Sequence, residues 1–445
     1  MPMISEATPV AFASALPEAT DVLIIGGGVV GMSTAYFLAK AGVHVTLCEK
    51  GRVAGEQSSR NWGWVRQQGR DAAELPIMME SNRIWQTLAQ ETGEAELSFR
   101  QCGCVYVARD EASLAKYEQW HDVARQHQLD TRMLSADEIC ALSQIEGKWA
   151  GGMVTPSDGC AEPFVAVPAL ARAAARAGAH IIENCAVRIL DYAAGQVTGV
   201  VTEQGAINTG AVLLAGGAWS SDFAANAGLD LPQLSVRSTV GRTNPAPARD
   251  MPNVSAPGFA LRQRVDGGYT VTSADLAEHY IGPRSLIYAT KFLPVLRAAA
   301  KDMRMLPKPP KGYPGSWGNL RGWQGDEQSP FERMRVLNPK PSQTVIKRVS
   351  ERLPVYAPWL ADAGIAEYWA GMIDVSPDAV PYLCEVPDYQ GLFVATGMSG
   401  HGFGIGPGVG KLMADLIRGQ PHGHNLERFR FNRFRDGSPI VPGPY

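Results

Sequence analysis

No stretch of the 445 residues is long and apolar enough to cross a bilayer, which argues against an integral membrane segment. A basic stripe is missing too. With 41 Lys and Arg against 44 Asp and Glu, a net charge of −3, the chain offers nothing to a nucleic-acid polyanion. Charged residues reach only 19% and the apolar set 45%, the composition of a soluble globular protein. The opening MPMISEATPVAFASALPEAT has a short apolar patch without a basic flank, so it reads as a loose N-terminal extension of a cytoplasmic protein rather than a signal peptide. The seven cysteines, Cys48, Cys102, Cys104, Cys140, Cys160, Cys185 and Cys384, are odd in number and scattered, which argues against a disulfide framework. Cys102-x-Cys104 has the wrong spacing for a zinc knuckle and suits alternation on a strand. His422 and His424 form an H-x-H pair in a Gly-, Pro- and Arg-containing tail, and no metal is expected there. No repeat of solenoid or propeller period is present.

What is there begins at residue 21. DVLIIGGGVVG reads as a short apolar strand running into Gly26-x-Gly28-x-x-Gly31, and HVTLCEK is a second strand ending at Glu49. Each part has a mechanical reason: Gly26 permits the tight turn, Gly28 lets the backbone approach a pyrophosphate, and Gly31 lets the following helix, over 29–42, pack close to the sheet. The helix start then presents free N–H groups and a positive dipole end to a phosphate. Glu49 stands where a carboxylate accepts hydrogen bonds from an adenosine ribose, favouring free hydroxyls over a 2′-phosphate. This is a dinucleotide grip.

Further along, 52–70 (RVAGEQSSRNWGWVRQQGR) shows neither helical nor strand period and reads as an ordered loop. A helix is expected over 71–92, a strand over 98–108, helices near 110–128 and 135–142, then a helix and strand within 161–190. A hairpin at Ala194-Gly195, a short run to Ile207 and the strand AVLLAGGAWS (211–220) follow. From about 232 to 365 the texture changes to Pro, Gly, Tyr and Trp, with strands at FALRQRV and GYTVTS and a helix near 289–304. The chain then returns to strand, glycine-rich turn and helix over 391–417. These shifts predict a mixed α/β fold, a Rossmann-like dinucleotide domain (21–97, 151–230 and 366–420) carrying an inserted antiparallel-sheet substrate domain (98–150 and 231–365), with a tail over 421–445. The glycines of 397–406 are too dense for a simple helix or strand and suit a backbone lying flat against a planar ring.

At these residues the chain resembles the FAD-dependent amino-acid and amine oxidoreductases related to D-amino-acid oxidase, glycine oxidase and monomeric sarcosine oxidase. The resemblance is carried by the first βαβ unit, by AVLLAGGAWS, and by DVSPDAVPYL followed by GLFVATGMSGHGFGIGPGVG, roughly half of the chain in the right order. It implies FAD and oxidation of a carbon–nitrogen bond. Expected flavin contacts are Gly26, Gly28, Val29, Val30 and Gly31; Glu49 and Lys50; Ser58, Ser59, Arg60, Asn61 and Trp62 in the loop; Val187; Ala215, Gly216 and Trp219; Gly371; and Gly400, His401, Gly402, Phe403 and Gly404. His401 is expected to face the ring's polar edge as a positive or donor group, not to act as a general base.

Departures from the resembling pattern also inform. Gly371 stands where some sarcosine oxidases tether flavin through a cysteine, and the 52–70 loop lacks the tethering histidine of other relatives, so FAD is expected to be non-covalent. Gly404 replaces the carboxylate-binding lysine of sarcosine oxidases, and Ile373 an arginine of the D-amino-acid dehydrogenases. The resemblance to sarcosine oxidases, where an arginine of the equivalent loop reaches the substrate carboxylate, implies Arg66 as that anchor, a bidentate guanidinium task, with Arg60 a weaker candidate nearer the flavin phosphate side; the bland alternative for both is to neutralise pyrophosphate or brace the loop. Trp62, Trp64, Tyr269, Tyr280 and Ile373 are the remaining substrate-pocket candidates, each competing with plain packing.

No catalytic dyad is found, and none is required. A neutral amine can lose its α-hydrogen as hydride to the flavin N5 while the lone pair forms an imine, which hydrolyses to keto acid and ammonia. The expectation is oxidative deamination of a free amino acid, with oxygen or a quinone as acceptor. The alternatives are an N-methyl or cyclic amino-acid oxidase and a flavoprotein subunit with little activity alone.

Overall fold

The computed structural model describes residues 3–443. Val22–Ile25 lies at the heart of a six-stranded sheet, with Val45–Cys48 and His180–Ile182 on one side and Val212–Leu214, Leu392–Thr396 and Tyr382–Glu385 on the other. All neighbours are parallel except the last pair, Tyr382–Glu385 against Leu392–Thr396. Strands buried on both faces need crossover helices, and three helices cover this sheet: Val29–Lys40, Pro163–Arg176 and Gly402–Ile417. The hairpin at Ala194-Gly195 is present, within a three-stranded antiparallel sheet.

A ten-stranded sheet forms the second layer, antiparallel apart from two parallel pairs. Its two most extensively paired strands, Leu234–Thr243 and Ile365–Val375, run antiparallel along the cavity side of the layer. Two strands read from sequence as parts of the nucleotide domain, Gly151–Thr155 and Ile365–Val375, pair in this sheet instead. Conversely 323–337, read as substrate domain, comes back to the nucleotide layer: Lys50 Nζ donates to the carbonyls of Met334 and Arg335, and Leu337 N–H donates to Glu56.

Local structure departs from the sequence reading in four places. The 52–70 loop contains a one-turn helix, Gln57–Arg60, and a two-residue strand, Trp64–Val65, paired with Gly159–Cys160. The helix expected over 289–304 stops at Ala298, turns through an Asp302 N–H to Ala299 carbonyl bond, and continues as the edge strand Met303–Leu306, which pairs with Ala277–Tyr280. The N-terminal extension is not loose, because Arg52 holds the carbonyls of Thr8 and Glu6, while Ala13 bridges to Ile182 and Ala19 to Asn208.

The fourth departure concerns the glycine run. Gly402–Ile417 is one continuous helix, and its glycines serve close packing rather than a flat backbone. A Cβ on Gly406 would lie 2.6 Å from Val29 Cγ2, on Gly410 2.2 Å from Ser33 Cβ, and on Gly408 2.6 Å from the Ile77 carbonyl. The helix thus presses its backbone on both Val29–Lys40 and Leu75–Thr92. Gly410→Ala should therefore lower stability by about 1–3 kcal/mol in thermal or urea unfolding. Gly210→Ala, where an added Cβ meets nothing within 4 Å, should stay within about 0.5 kcal/mol.

Candidate functional site

A cavity of about 1220 Å³ runs from the end of Val45–Cys48, past the first glycine turn, to the Met398–Phe403 turn. Gly26, Gly28, Val29, Val30, Glu49, Lys50, Ser58, Asn61, Val187, Ala215, Gly216, Trp219, Gly400, Gly402 and Phe403 line it, so most expected cofactor contacts meet in one place. At the turn, Gly26 has φ +111° and a Cβ there would stand 2.5 Å from the Ala215 carbonyl. A Cβ on Gly31 would meet the Gly26 carbonyl at 2.1 Å, so Gly31 serves helix packing and does not line the cavity.

The polar groups of this cavity match a dinucleotide. Val29–Lys40 starts without a side-chain cap of its own and opens on the cavity; Ser58 Oγ accepts from Val29 N–H at 2.9 Å. Such a helix end suits a pyrophosphate. Glu49 accepts from Gly27 N–H (2.7 Å) and Gly51 N–H (2.8 Å), and burial pushes its carboxyl above the usual range against the pull of Lys50 and these N–H groups. Gln57 lines the cavity with Oε1 buried and unpartnered, an acceptor in want of a donor.

Several residues that fasten the site were missed by sequence reading. Glu56 accepts from Lys50 (2.6 Å), Trp219 Nε1 (2.9 Å) and Leu337 N–H (3.0 Å), and Lys50 Nζ stands 4.6 Å from the centre of the Trp219 indole. Asp374, buried and pushed upward by that burial, accepts from Gly397 N–H (2.7 Å) and Met398 N–H (3.1 Å) and so shapes the turn before Gly400. Phe223, Phe331 and Met372 supply apolar wall. Glu56 lay in a segment with no period, and Phe331 in one assigned elsewhere; only DVSPD around Asp374 carried a signal.

Other expected residues stand outside the lining. Arg60 is buried as a brace, donating to Asn338 Oδ1 (3.0 Å), Ala370 O (3.0 Å) and Gly55 O (2.9 Å). Ser59 Oγ turns to the Glu56 carbonyl. Gly404 abuts the Trp64 carbonyl and Val65, and its own carbonyl accepts from Ser81 Oγ and Trp85 Nε1. Gly371 packs beside the end of Gln57: a Cβ would lie 2.1 Å from Gln57 Oε1 and 3.3 Å from Arg60 Cβ.

Trp62 and Trp64 stack edge-on with centroids 5.2 Å apart; Trp64 packs on Cys104 and Ala260, Trp62 also against Phe164 and Trp369. Tyr269 is core, its hydroxyl on the Pro247 carbonyl. Tyr280 borders a neighbouring cleft. Ile373 stands against the Met398–Phe403 turn, its Cδ1 3.8 Å from where a Gly400 Cβ would be.

His401 pairs through Nδ1 with Glu74 Oε2 at 3.1 Å. Burial above all, then the charge of Arg70, lowers the imidazole to about 4 despite Glu74. It is therefore neutral at pH 7, so of the expected positive or donor group only the donor form is left. Glu74, driven up by burial, is held below the usual range by His401, Arg70 and Arg66. Arg70 Nη1 and Glu74 Oε1 are buried without partners. Arg66 completes this corner, with Nη1 on the Gln68 carbonyl and its guanidinium 5.4 Å from the centre of the Tyr106 ring.

A family model described as DAO, FAD dependent oxidoreductase, matches residues 21–416. The chain belongs to this family of FAD-dependent oxidoreductases. Its cofactor is FAD, and the dinucleotide cavity is where these residues would hold it. Among curated relatives, the chain is 27% identical to the 4-methylaminobutanoate oxidase (formaldehyde-forming) of Paenarthrobacter nicotinovorans over 91% of its own length but only 44% of that protein's. It therefore spans less than half of that longer relative. With the glycine oxidase of Geobacillus kaustophilus it shares 27% identity over 93% of its own length and 97% of the other. The L-amino acid deaminase of Proteus myxofaciens, solved in complex with anthranilate, superposes with a TM-score of 0.90 at 30% identity, covering 97% of both chains.

Two outcomes test this site. Glu49→Ala should raise the FAD dissociation constant about 10- to 100-fold in apoprotein titrations, since a charged hydrogen-bond acceptor is lost from a buried position. The second concerns acid. Because the folded state depresses the His401 pKa, the unfolded chain binds the extra proton, so this contribution is complete above pH 6.5 and is lost as pH falls towards 4. Urea unfolding at pH 7 and pH 4.5 should show a loss, up to about 3 kcal/mol from this residue, that His401→Gln reduces.

Proposed function

We propose that this oxidoreductase oxidises the C–N bond of a free amino acid of the L hand, giving an imino acid that hydrolyses to keto acid and ammonia. The observation that carries the reading is the cationic corner of Arg66 and Arg70 beside the Met398–Phe403 turn, where the buried carboxylate of Glu74 is paired with His401 and held ionised by the two arginines. His401 is neutral and engaged with Glu74, and Asp374 is occupied by backbone N–H groups. That arrangement suits a substrate that brings a carboxylate and needs orientation rather than proton abstraction. The L hand is supported by the likeness to the Proteus myxofaciens L-amino acid deaminase, whose bound anthranilate is itself an aromatic carboxylate.

In this reading Arg66 moves off the Gln68 carbonyl to take the substrate carboxylate as a fork, and Tyr106 backs its guanidinium. Ile373 and the Met398–Gly400 turn hold the α-carbon against the cofactor and keep water from it. Bound FAD supplies the acceptor for the hydride that leaves the α-carbon. The cavity fits FAD held without a covalent bond, because Gly371 carries no side chain that could tether it. All seven cysteines are unpaired, which suits a reducing compartment, and we place the reaction in the cytoplasm. Among the described residues no helix is long and apolar enough to cross a membrane.

A second reading, oxidation of an N-methyl amino acid, is favoured by the formaldehyde-forming relative. Product analysis separates the two: ammonia and keto acid support deamination, formaldehyde the alternative. With L-amino acids under anaerobic conditions the flavin absorbance should bleach. Arg66→Ala should keep its FAD yet raise the amino-acid KM about 10- to 100-fold, with Arg66→Lys in between, as expected where a bidentate ion pair is lost. Failure of paired L- and D-amino acids to reduce the flavin overturns the reading.

A further inference from the structure

Cys102 and Cys160 lie outside everything the amino-acid reaction uses, and their sulfurs stand 3.8 Å apart. Cys160 belongs to the middle strand of a three-stranded sheet, opposite Trp64 on one side and Arg100 on the other. Cys102 follows the edge strand, where the Gly103 N–H donates to the Asp158 carbonyl at 2.8 Å. Gly103, at φ +79°, breaks the alternation that would give Cys102 and Cys104 one face: Cys104 packs on Trp64 and Ala260, and Cys102 meets Cys160. An ordinary S–S bond is about 2.0 Å long, so the sulfurs need to approach by less than about 2 Å, within the sweep of a side-chain rotation.

The surroundings favour one thiolate. Arg100 donates through Nη1 to Gln263 Oε1 and through Nη2 to the Gln263 carbonyl, and Nη2 also stands 3.6 Å from Cys160 Sγ. Arg262, buried and also against Cys160, shares Glu162 with Arg264 at 3.3–3.4 Å, and its Nε has no partner. Two guanidinium groups thus face the Cys160 sulfur with donors to spare. The hydrogen bond from Cys102 above all, then Arg262 and Arg100, lowers the Cys160 thiol against its burial, while the same bond and burial push Cys102 up. Cys160 therefore supplies the nucleophilic sulfur, and Cys102 keeps its proton. Cys102 is half-buried and Cys160 only 3% exposed, so the oxidant that reaches the pair is a small one.

We propose that Cys102 and Cys160 form a peroxide-sensitive dithiol that closes to a disulfide and so shifts the strand leading to Arg66. The Cys160 thiolate attacks one oxygen of hydrogen peroxide, the O–O bond breaks, and the leaving hydroxide takes a proton from solvent, giving water and a sulfenic acid. Cys102 Sγ then attacks that sulfur; the S–O bond breaks, and the hydroxide leaves with the Cys102 proton as a second water. Each sulfur gives up one electron and the peroxide takes both. The link to the reaction is the strand Gly159–Cys160, on which the arginine loop hangs. It pairs with Trp64–Val65, and Asp158 just before it accepts from Gln67 N–H (2.7 Å) and Gln68 N–H (3.1 Å), the residues that follow Arg66. Oxidation therefore displaces the carboxylate anchor and not the cofactor, a consequence that rests on Arg66 being that anchor.

The test treats the FAD-loaded enzyme with hydrogen peroxide in a Cys140→Ser background, which removes the exposed thiol. Peptide mass spectrometry should show Cys102 joined to Cys160, a link reversed by dithiothreitol and absent in Cys102→Ser and in Cys160→Ser. The oxidised enzyme should keep its flavin absorbance and raise its amino-acid KM about 3- to 10-fold, since small displacements of a positioning group are costly. Cys102→Ser, equal to its parent before treatment, should not respond. A pair still reduced after peroxide, oxidation of Cys160 past the sulfenic acid without a bond to Cys102, or a KM change that persists in Cys102→Ser overturns the proposal. So does a joined pair with unchanged KM in an enzyme whose KM does respond to Arg66→Ala. Where Arg66→Ala leaves KM unchanged, the anchor reading is the one that fails, and the presence or absence of the mapped disulfide still decides the dithiol.

Discussion

The close approach of two helices from opposite ends of the chain is the contact on which the site depends. Gly406 against Val29 and Gly410 against Ser33 leave no room for side chains between Gly402–Ile417 and Val29–Lys40. That contact sets the first glycine turn and the Met398–Phe403 turn at the two ends of one cavity. Gly408 then seats Leu75–Thr92, and Gly404 seats the Trp64–Val65 strand, so the loop carrying Arg66 is placed by the same helix. Each added methyl would spread the interface, and packed interiors accommodate such changes poorly.

Buried carboxylates tie what the helices bring together. Glu56 gathers Lys50, Trp219 and Leu337; Asp374 gathers the backbone of 397–398 with Gln233; Glu74 gathers His401 among two arginines. Charge buried in this way is tolerated only when most of its hydrogen-bonding capacity is met. The exceptions, Glu74 Oε1 and Arg70 Nη1, stand in the corner read as facing the substrate, and Gln57 Oε1 stands at the cofactor cavity. Other unmet polar atoms, such as Arg60 Nε, Trp149 Nε1 and Asn253 Oδ1, stand in structural parts of the fold.

Much of the nucleotide half was legible along the chain, because the constraints there are local. Gly26 and Gly31 are demanded by backbone contacts within one strand–turn–helix unit, and Glu49 ends the adjacent strand in parallel register. The substrate half was harder. Tyr269 looks the same on paper whether it faces a cavity or, as here, donates to the Pro247 carbonyl in the core. Arg60 and Arg66 sit six residues apart in one loop, and only the fold makes the first a brace. The glycines of 402–406 misled for a related reason: composition shows that a backbone must come close to something, not whether the neighbour is a ring or another helix.

The amino-acid sequence by itself determined a dinucleotide cavity closed by two glycine turns, since each turn needs particular residues at fixed short spacings. Tertiary structure alone decided that His401 is neutral and that Phe331 returns to the nucleotide layer. Those outcomes depend on burial and on neighbours hundreds of residues away, and neither is written in the local order of the chain.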